Sequence, residues 1–158
     1  MFKKSKLSSF DLYVYGILIA FEILMSFTFL GYIHIAPISV AFAYIPVLIA
    51  GCLFGPLQST VMGIIFGLSS IYKSTAFYVL PSDMLFSPFL SGNPVGSLIL
   101  ALGTRTLFGY LTGVAFQAAK RQNNTKVKIG IISLLCPPFQ AFLVLAAMKL
   151  FFSDSVYV

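Results

Sequence analysis

Two charged residues stand inside apolar stretches of this chain: Glu22, within SFDLYVYGILIAFEILMSF, and Arg105, within LGTRTLFGYLTGVAF. An ionisable side chain at membrane depth is expensive, so it marks a functional position or a structural pair. Two kinds of chemistry are open to them. Arg105 presents a planar fork of donors that suits a carboxylate or phosphate group. Alternatively, Glu22 and Arg105 pair with each other and hold two helices together. Asn93 and Ser91 at the head of the same stretch, Tyr44 and Gln140 could add hydrogen bonds, with bundle satisfaction as the alternative for each. Asp83 and Lys73 read as solvated groups of an outer loop.

Catalysis has little to stand on. His34 is the only histidine, which leaves a histidine-based metal site or a Ser–His pair without material. No phosphate-binding Walker loop is present, so the chain cannot hydrolyse ATP itself. Cys52 and Cys136 lie in apolar segments without metal-ligand spacing and read as small core residues.

The elements that must position these residues are membrane helices. Hydrophobic residues make up 59% of the 158 and charged residues 9%, against about 25% charged in a soluble domain. Mean hydropathy is +0.98. The net charge of +6 is concentrated in Lys3, Lys4 and Lys6, ahead of the first apolar stretch, and in Lys120, Arg121, Lys126 and Lys128. Basic residues accumulate on the cytoplasmic side of short loops, so both clusters face the cytoplasm, with an even number of crossings between them. No soluble basic face is left to dock nucleic acid.

The pattern predicts spans over about 10–33, 38–54, 57–72, 94–119 and 127–152, near or slightly below the ~20 residues that cross a ~30 Å core. A turn at Ala36 and Pro37 separates the first two, and Pro137–Pro138 should kink or break the last. The chain would then end outside, at Asp154 to Val158. The first span is too long for a cleaved signal. Residues 73–93 carry Pro81, Pro88 and Gly92 and read as an ordered outer cap. Arg105 lies 15 positions before Lys120, roughly 22 Å above the cytoplasmic boundary. Glu22, 11 positions after Asp11, stands roughly 16 Å up. An arginine side chain can cover the difference. Small residues recur at four-residue spacing as Gly16/Ala20, Gly63/Gly67 and Gly109/Gly113, which lets helix backbones approach closely. Most of these read as internal packing. Gly16 and Ala20, set among Tyr13, Tyr15 and Phe21, form a notch that a partner helix could enter.

The ordered combination ISVAFAYIPVLIAGCLFGP (38–56), VMGIIFGLSS (61–70), FSPFLSGNPVGSLI (86–99) and TRTLFGYLTGVAF (104–116) resembles the substrate-binding S component of energy-coupling factor (ECF) vitamin transporters. The likeness covers about residues 12–120. It implies an all-α integral membrane bundle of six helices with a cytoplasmic N-terminus. Five helices are legible here, with no counterpart of the sixth before Val158. It further implies a multi-pass protein of a bacterial plasma membrane that captures a small vitamin or precursor outside the cell. Uptake would then be driven by a transmembrane T subunit and two ATPase subunits, ATP being hydrolysed by those partners and no cofactor being held by this chain. By the same likeness Arg105, Asn93 and the 73–93 segment lie at or near the ligand, and Gly16 and Ala20 contact the T subunit. Pantothenate suits the arginine-bearing variant; pyridoxine- or pyrimidine-type precursors, riboflavin and cobalamin are alternatives. The chain departs from the family pattern at Thr104, where a proline is usual, and at Tyr44, where a histidine is frequent. It also has Cys136–Pro137 and Gln140–Ala141 in place of Gly-Thr and Asn-Thr. The competing reading is a membrane scaffold that transports nothing, with Glu22–Arg105 purely structural.

Overall fold

The computed structural model describes residues 8–28, 32–35, 38–77, 81–121 and 125–152. Helix α1 is Ser9–Phe27. It starts where the Asp11 carboxylate accepts the backbone N–H of Ser8 at 3.0 Å, one half of a capping box. Strands β1 (Tyr32–Ile35) and β2 (Ile38–Ala41) follow as an antiparallel ribbon with Ile35 opposite Ile38 and Tyr32 opposite Ala41. Helix α2 (Ile45–Leu53) leads through Gly55 into α3 (Pro56–Ala76). Gly55 takes φ +102°, a conformation that favours glycine, and Pro56 supplies a preset φ at the first helical position. A 3-10 helix over Pro81–Phe86 precedes α4 (Pro94–Leu98), a π-helical turn (Ile99–Gly103) and α5 (Thr104–Lys120). Helix α6 is Thr125–Phe152.

Three of the described helical stretches are long and apolar enough to cross a membrane: Ser9–Phe27, Pro94–Lys120 and Lys126–Phe151. They expose Leu12, Ile17, Leu24, Leu134, Phe142 and Leu145, an apolar exterior that lipid rather than water accommodates.

Two expectations are corrected. Residues 38–54 do not form one spanning helix. Their first part pairs as β2, and α2 has 9 residues, about 14 Å of rise. The β-branched residues Ile33, Ile35, Ile38 and Val40 around Ala36–Pro37 favour a pleated ribbon over a helix. Of the kink or break expected at Pro137 and Pro138, the break does not occur, since α6 is helical on both sides of them. Within the described part of the 73–93 segment, hydrogen bonds tie it to its neighbours. Ser97 Oγ donates to the Leu85 carbonyl at 2.6 Å, and the hydroxyls of Thr75 and Ser87 share a hydrogen bond of 2.8 Å. Lys3, Lys4, Lys6, the Ala36–Pro37 turn and the chain end from Asp154 to Val158 lie outside the described residues.

The centre of the bundle is the α3–α5 contact. A β-carbon on Gly63 would meet the Arg105 carbonyl oxygen, one on Gly67 that of Ala101, one on Gly109 that of Ser59, and one on Gly113 the Cα of Pro56. As the α3 position advances, its α5 neighbour retreats, so the helices pack antiparallel with their backbones nearly touching. Dispersion over this close seam replaces the hydrophobic drive that lipid does not supply. Around it, Met25, Val47, Met62, Phe66, Phe108, Phe116 and Cys136 form the main core. Leu85, Leu100 and Met148 form a second cluster toward the outer segment.

The two ends of the bundle differ. At one, Lys120 Nζ donates to the Cys52 carbonyl near the C-terminus of α2, and Tyr15 donates to the Gln58 carbonyl at 2.9 Å. Arg121 and Lys126 share that end with the start of α1. At the other, Phe27 and Tyr72 meet edge to face at 5.5 Å.

Candidate functional site

Arg105 is 5% exposed and stands one residue into α5, directly after the π-helical turn. π-turns widen a helix locally and recur at functional positions. Here the Thr104 backbone N–H reaches back to the Ile99 carbonyl, while the Thr104 hydroxyl donates to the Leu100 carbonyl at 2.6 Å. The Ala101 carbonyl receives an N–H of the Arg105 guanidinium at 3.2 Å. The guanidinium carbon lies 4.8 Å from the centre of the Phe66 ring and 4.9 Å from that of Phe86. Two aromatic faces therefore hold the cation, one from α3 and one from the outer 3-10 helix. Cation–π attraction is worth ~2 kcal/mol or more where water is excluded.

Glu22 is fully buried on α1. Its Oε1 accepts the Ser26 hydroxyl at 3.4 Å, one turn along the same helix, and its Oε2 meets no hydrogen-bond donor among the described residues. Arg105 attracts it electrostatically across the interior rather than through a hydrogen bond. Glu22 and Arg105 are thus both buried in the bundle interior, with one carboxyl oxygen of Glu22 lacking a donor among the described residues. Gln140, on α6, is 7% exposed, and its Oε1 likewise has no partner among the described residues. It lies one turn beyond Cys136, whose sulfur meets the Thr112 hydroxyl of α5 at 3.7 Å.

The remaining candidates lie elsewhere. Asn93 is exposed and caps α4, its Oδ1 accepting the Gly96 N–H at 3.2 Å. The Ser91 hydroxyl accepts from Ser97 Oγ at 2.5 Å and from the Asn93 N–H at 3.4 Å. Both do local capping work, 12 and 14 positions before Arg105, about 18–21 Å along the helix. Tyr44 is half-buried at the start of α2, against the main core, with its carbonyl receiving the Leu48 N–H at 3.1 Å. Gly16 and Ala20 are exposed, and a β-carbon on Gly16 would meet nothing within 4 Å. The inward glycines of α3 and α5 are internal packing, as their spacing predicts, whereas the notch on α1 is open.

Sequence reasoning missed Phe66, Phe86 and Ser26. Ser26 had a signal, since it stands four positions after Glu22 on one helix face. Phe66 and Phe86 had none, because their meeting over Arg105 depends on how the outer segment folds back.

The comparisons with known proteins agree with this architecture. A family model described as "ECF transporter, substrate-specific component" matches residues 10–157. The pantothenic acid transporter PanT of Lactococcus lactis subsp. cremoris (strain MG1363) is 28% identical over 162 residues, covering 98% of this chain and 79% of that relative. With nearly its whole length matched, the chain belongs to the family of substrate-specific components of ECF transporters.

Proposed function

We propose that this chain is the pantothenate-binding subunit of an ECF importer in a bacterial plasma membrane. As a substrate-specific component it is a transport subunit rather than an enzyme. The identity of the ligand is supported by the likeness to PanT and by the chemistry around Arg105. Pantothenate carries one carboxylate, one amide and two hydroxyls. A buried guanidinium between Phe66 and Phe86 is the observation that carries the reading. It offers a carboxylate charge-assisted hydrogen bonds away from competing water. Glu22 Oε2 and Gln140 Oε1 are acceptors without donors among the described residues, and the ligand's hydroxyl and amide groups are donors. Tyr44, Ser91 and Asn93 serve the outer mouth of the site in this reading.

In this reading the N-terminus of the helical bundle lies in the cytoplasm. A T subunit docks on the α1 notch at Gly16 and Ala20, and two ATPase subunits supply the energy. This chain holds no cofactor.

The test is to purify the protein from cells grown in rich medium, denature it and identify what is released. Pantothenate at near one equivalent is the expected result. Release of a pyridoxine- or pyrimidine-type compound, riboflavin or cobalamin would replace the ligand and keep the class. An empty protein that binds no member of a vitamin panel would contradict the reading.

A further inference from the structure

Helices α5 and α6 touch where the Thr112 hydroxyl and the Cys136 sulfur meet at 3.7 Å. Toward the basic end they do not close on each other. Between them lies a groove of about 240 Å³, lined by Ala115, Ala118 and Ala119 of α5 and by Lys128, Ile131 and Ile132 of α6. Each set repeats at steps of three and four, so each occupies one face of its helix. Ala118 and Ile131 are exposed at the rim. The groove therefore faces sideways, out of the bundle.

Size and lining decide what fits. Sites that enclose a drug-sized molecule run to roughly 300–1,000 Å³ and carry several placed polar groups. This groove is smaller, open on one side, and has one polar side chain in its lining, that of Lys128. Such a space takes part of an elongated apolar chain, not a compact polar solute. Both helices are long and apolar enough to cross a membrane, so the groove opens onto lipid rather than water.

The charge around the mouth selects the head group. Arg121 and Lys126 stand exposed at the adjoining ends of α5 and α6, beside Lys128. Lys120 is turned to the Cys52 carbonyl. Opposing charge is scarce at this end. Glu22 is buried, Asp83 belongs to the outer 3-10 helix, and Asp11 accepts the Ser8 N–H. The first turn of α6 adds the positive end of a helix dipole. A lysine stem can lie along apolar surface and carry its ammonium out to the level of the phosphates.

We propose that this groove is a binding site for one anionic phospholipid. An acyl chain lies against the alanines of α5 and Ile131 and Ile132 of α6, and the phosphate meets Lys128, with Arg121 and Lys126 beside it. Basic recesses between membrane helices hold anionic head groups by this combination. A zwitterionic phospholipid offers the same chain but carries a cation next to its phosphate, so the site discriminates by head group. The bound lipid fills the gap between α5 and α6 and stabilises the folded bundle according to its occupancy. Arg105 has no part in it.

The experiment offers the full chain, purified in a neutral detergent, equal amounts of phosphatidylglycerol and phosphatidylcholine. Native mass spectrometry counts the lipids retained, and the melting temperature reads stabilisation. The expected result is one phosphatidylglycerol per chain, held at least about fivefold more tightly than phosphatidylcholine, with the Tm raised by the anionic lipid alone. Lys128→Gln should weaken its retention by about fivefold, the effect of one basic residue facing an anionic surface. Ala118→Leu fills the groove from its exposed rim, keeps every charge, and should displace the bound lipid. Lys149→Gln makes the same charge change in the last turn of α6 and should leave retention unchanged. Equal retention of the two lipids by the unmodified protein overturns the proposal without any variant. So does an equal rise in Tm with inorganic phosphate, which has no chain to seat. A loss in Lys149→Gln as large as in Lys128→Gln makes net charge the cause and overturns it too. Undiminished retention by Ala118→Leu takes the chain out of the groove, and a lipid-free dimer assigns the groove to a second copy; either result contradicts the proposal.

Discussion

Gly63 of α3 lies against the backbone of Arg105 so closely that a β-carbon on it would collide with the Arg105 carbonyl oxygen. The buried cation is thus set in place by a residue with no side chain. Gly63→Ala must push α3 and α5 apart, because the obstacle is backbone and cannot rotate away. We expect a loss of about 1–3 kcal/mol, the usual range for overpacking a tight contact. Gly16→Ala has open space around it and should be neutral or add up to about 1 kcal/mol from helix propensity. Unfolding midpoints of the two variants in one detergent check the contrast, and equal midpoints would contradict the packing described for the α3–α5 seam.

Arg105→Lys keeps the charge and removes the planar fork and its stacking between Phe66 and Phe86. Ligand affinity should fall by roughly ten- to a hundredfold with the fold intact. Phe86→Leu removes one of the two faces and should lower affinity by roughly two- to thirtyfold, the span of measured cation–π energies. Titration calorimetry together with circular dichroism separates lost recognition from lost folding. An Arg105→Lys protein that binds as well as the parent would remove the fork from the account.

The outer segment is tied down by the Ser97 hydroxyl, which donates to the Leu85 carbonyl at 2.6 Å in a buried position. Ser97→Ala leaves that carbonyl without its donor at a cost of about 1–3 kcal/mol. Amide exchange over residues 81–93 should accelerate, and Phe86 should hold Arg105 less firmly. Unchanged exchange there would mean that the second cluster of Leu85, Leu100 and Met148 secures the segment by itself.

Gly16→Leu and Ala20→Leu fill the exposed notch on α1 without touching the core. Binding by the isolated subunit should be unaffected, while uptake in cells that supply the T and ATPase subunits should fall to background. Normal uptake by both variants would move the docking face elsewhere.

Much of this was legible in the chain because membrane helices obey simple rules. The glycine spacing of 63/67 and 109/113 follows from local pattern, and the burial of Glu22 and Arg105 agrees with their place inside apolar stretches. The paired strands Tyr32–Ile35 and Ile38–Ala41 were missed because a run of β-branched residues has the hydropathy of a span, and hydropathy alone does not separate a strand from a helix. Pro137–Pro138 reads as a breaker in any local scheme, yet neighbouring helices in a membrane bundle can tolerate such residues. At the site, sequence depth brought Glu22 and Arg105 to similar heights but could not show whether they touch. That depends on the azimuth of two helices in separate parts of the chain. Asn93 and Ser91 drew attention as polar residues beside the arginine's helix. Their position at the start of α4 instead engages them in capping.

The central claim is that Arg105 receives the carboxylate of the ligand, and one comparison tests it directly. The purified protein is titrated with pantothenate and with pantothenol, which has a hydroxyl in place of the carboxylate and is otherwise the same molecule. The account predicts tight binding of pantothenate and a loss of roughly ten- to a hundredfold or more for pantothenol, a difference that Arg105→Ala largely abolishes. Equal affinity for the two compounds in the unmodified protein would contradict it.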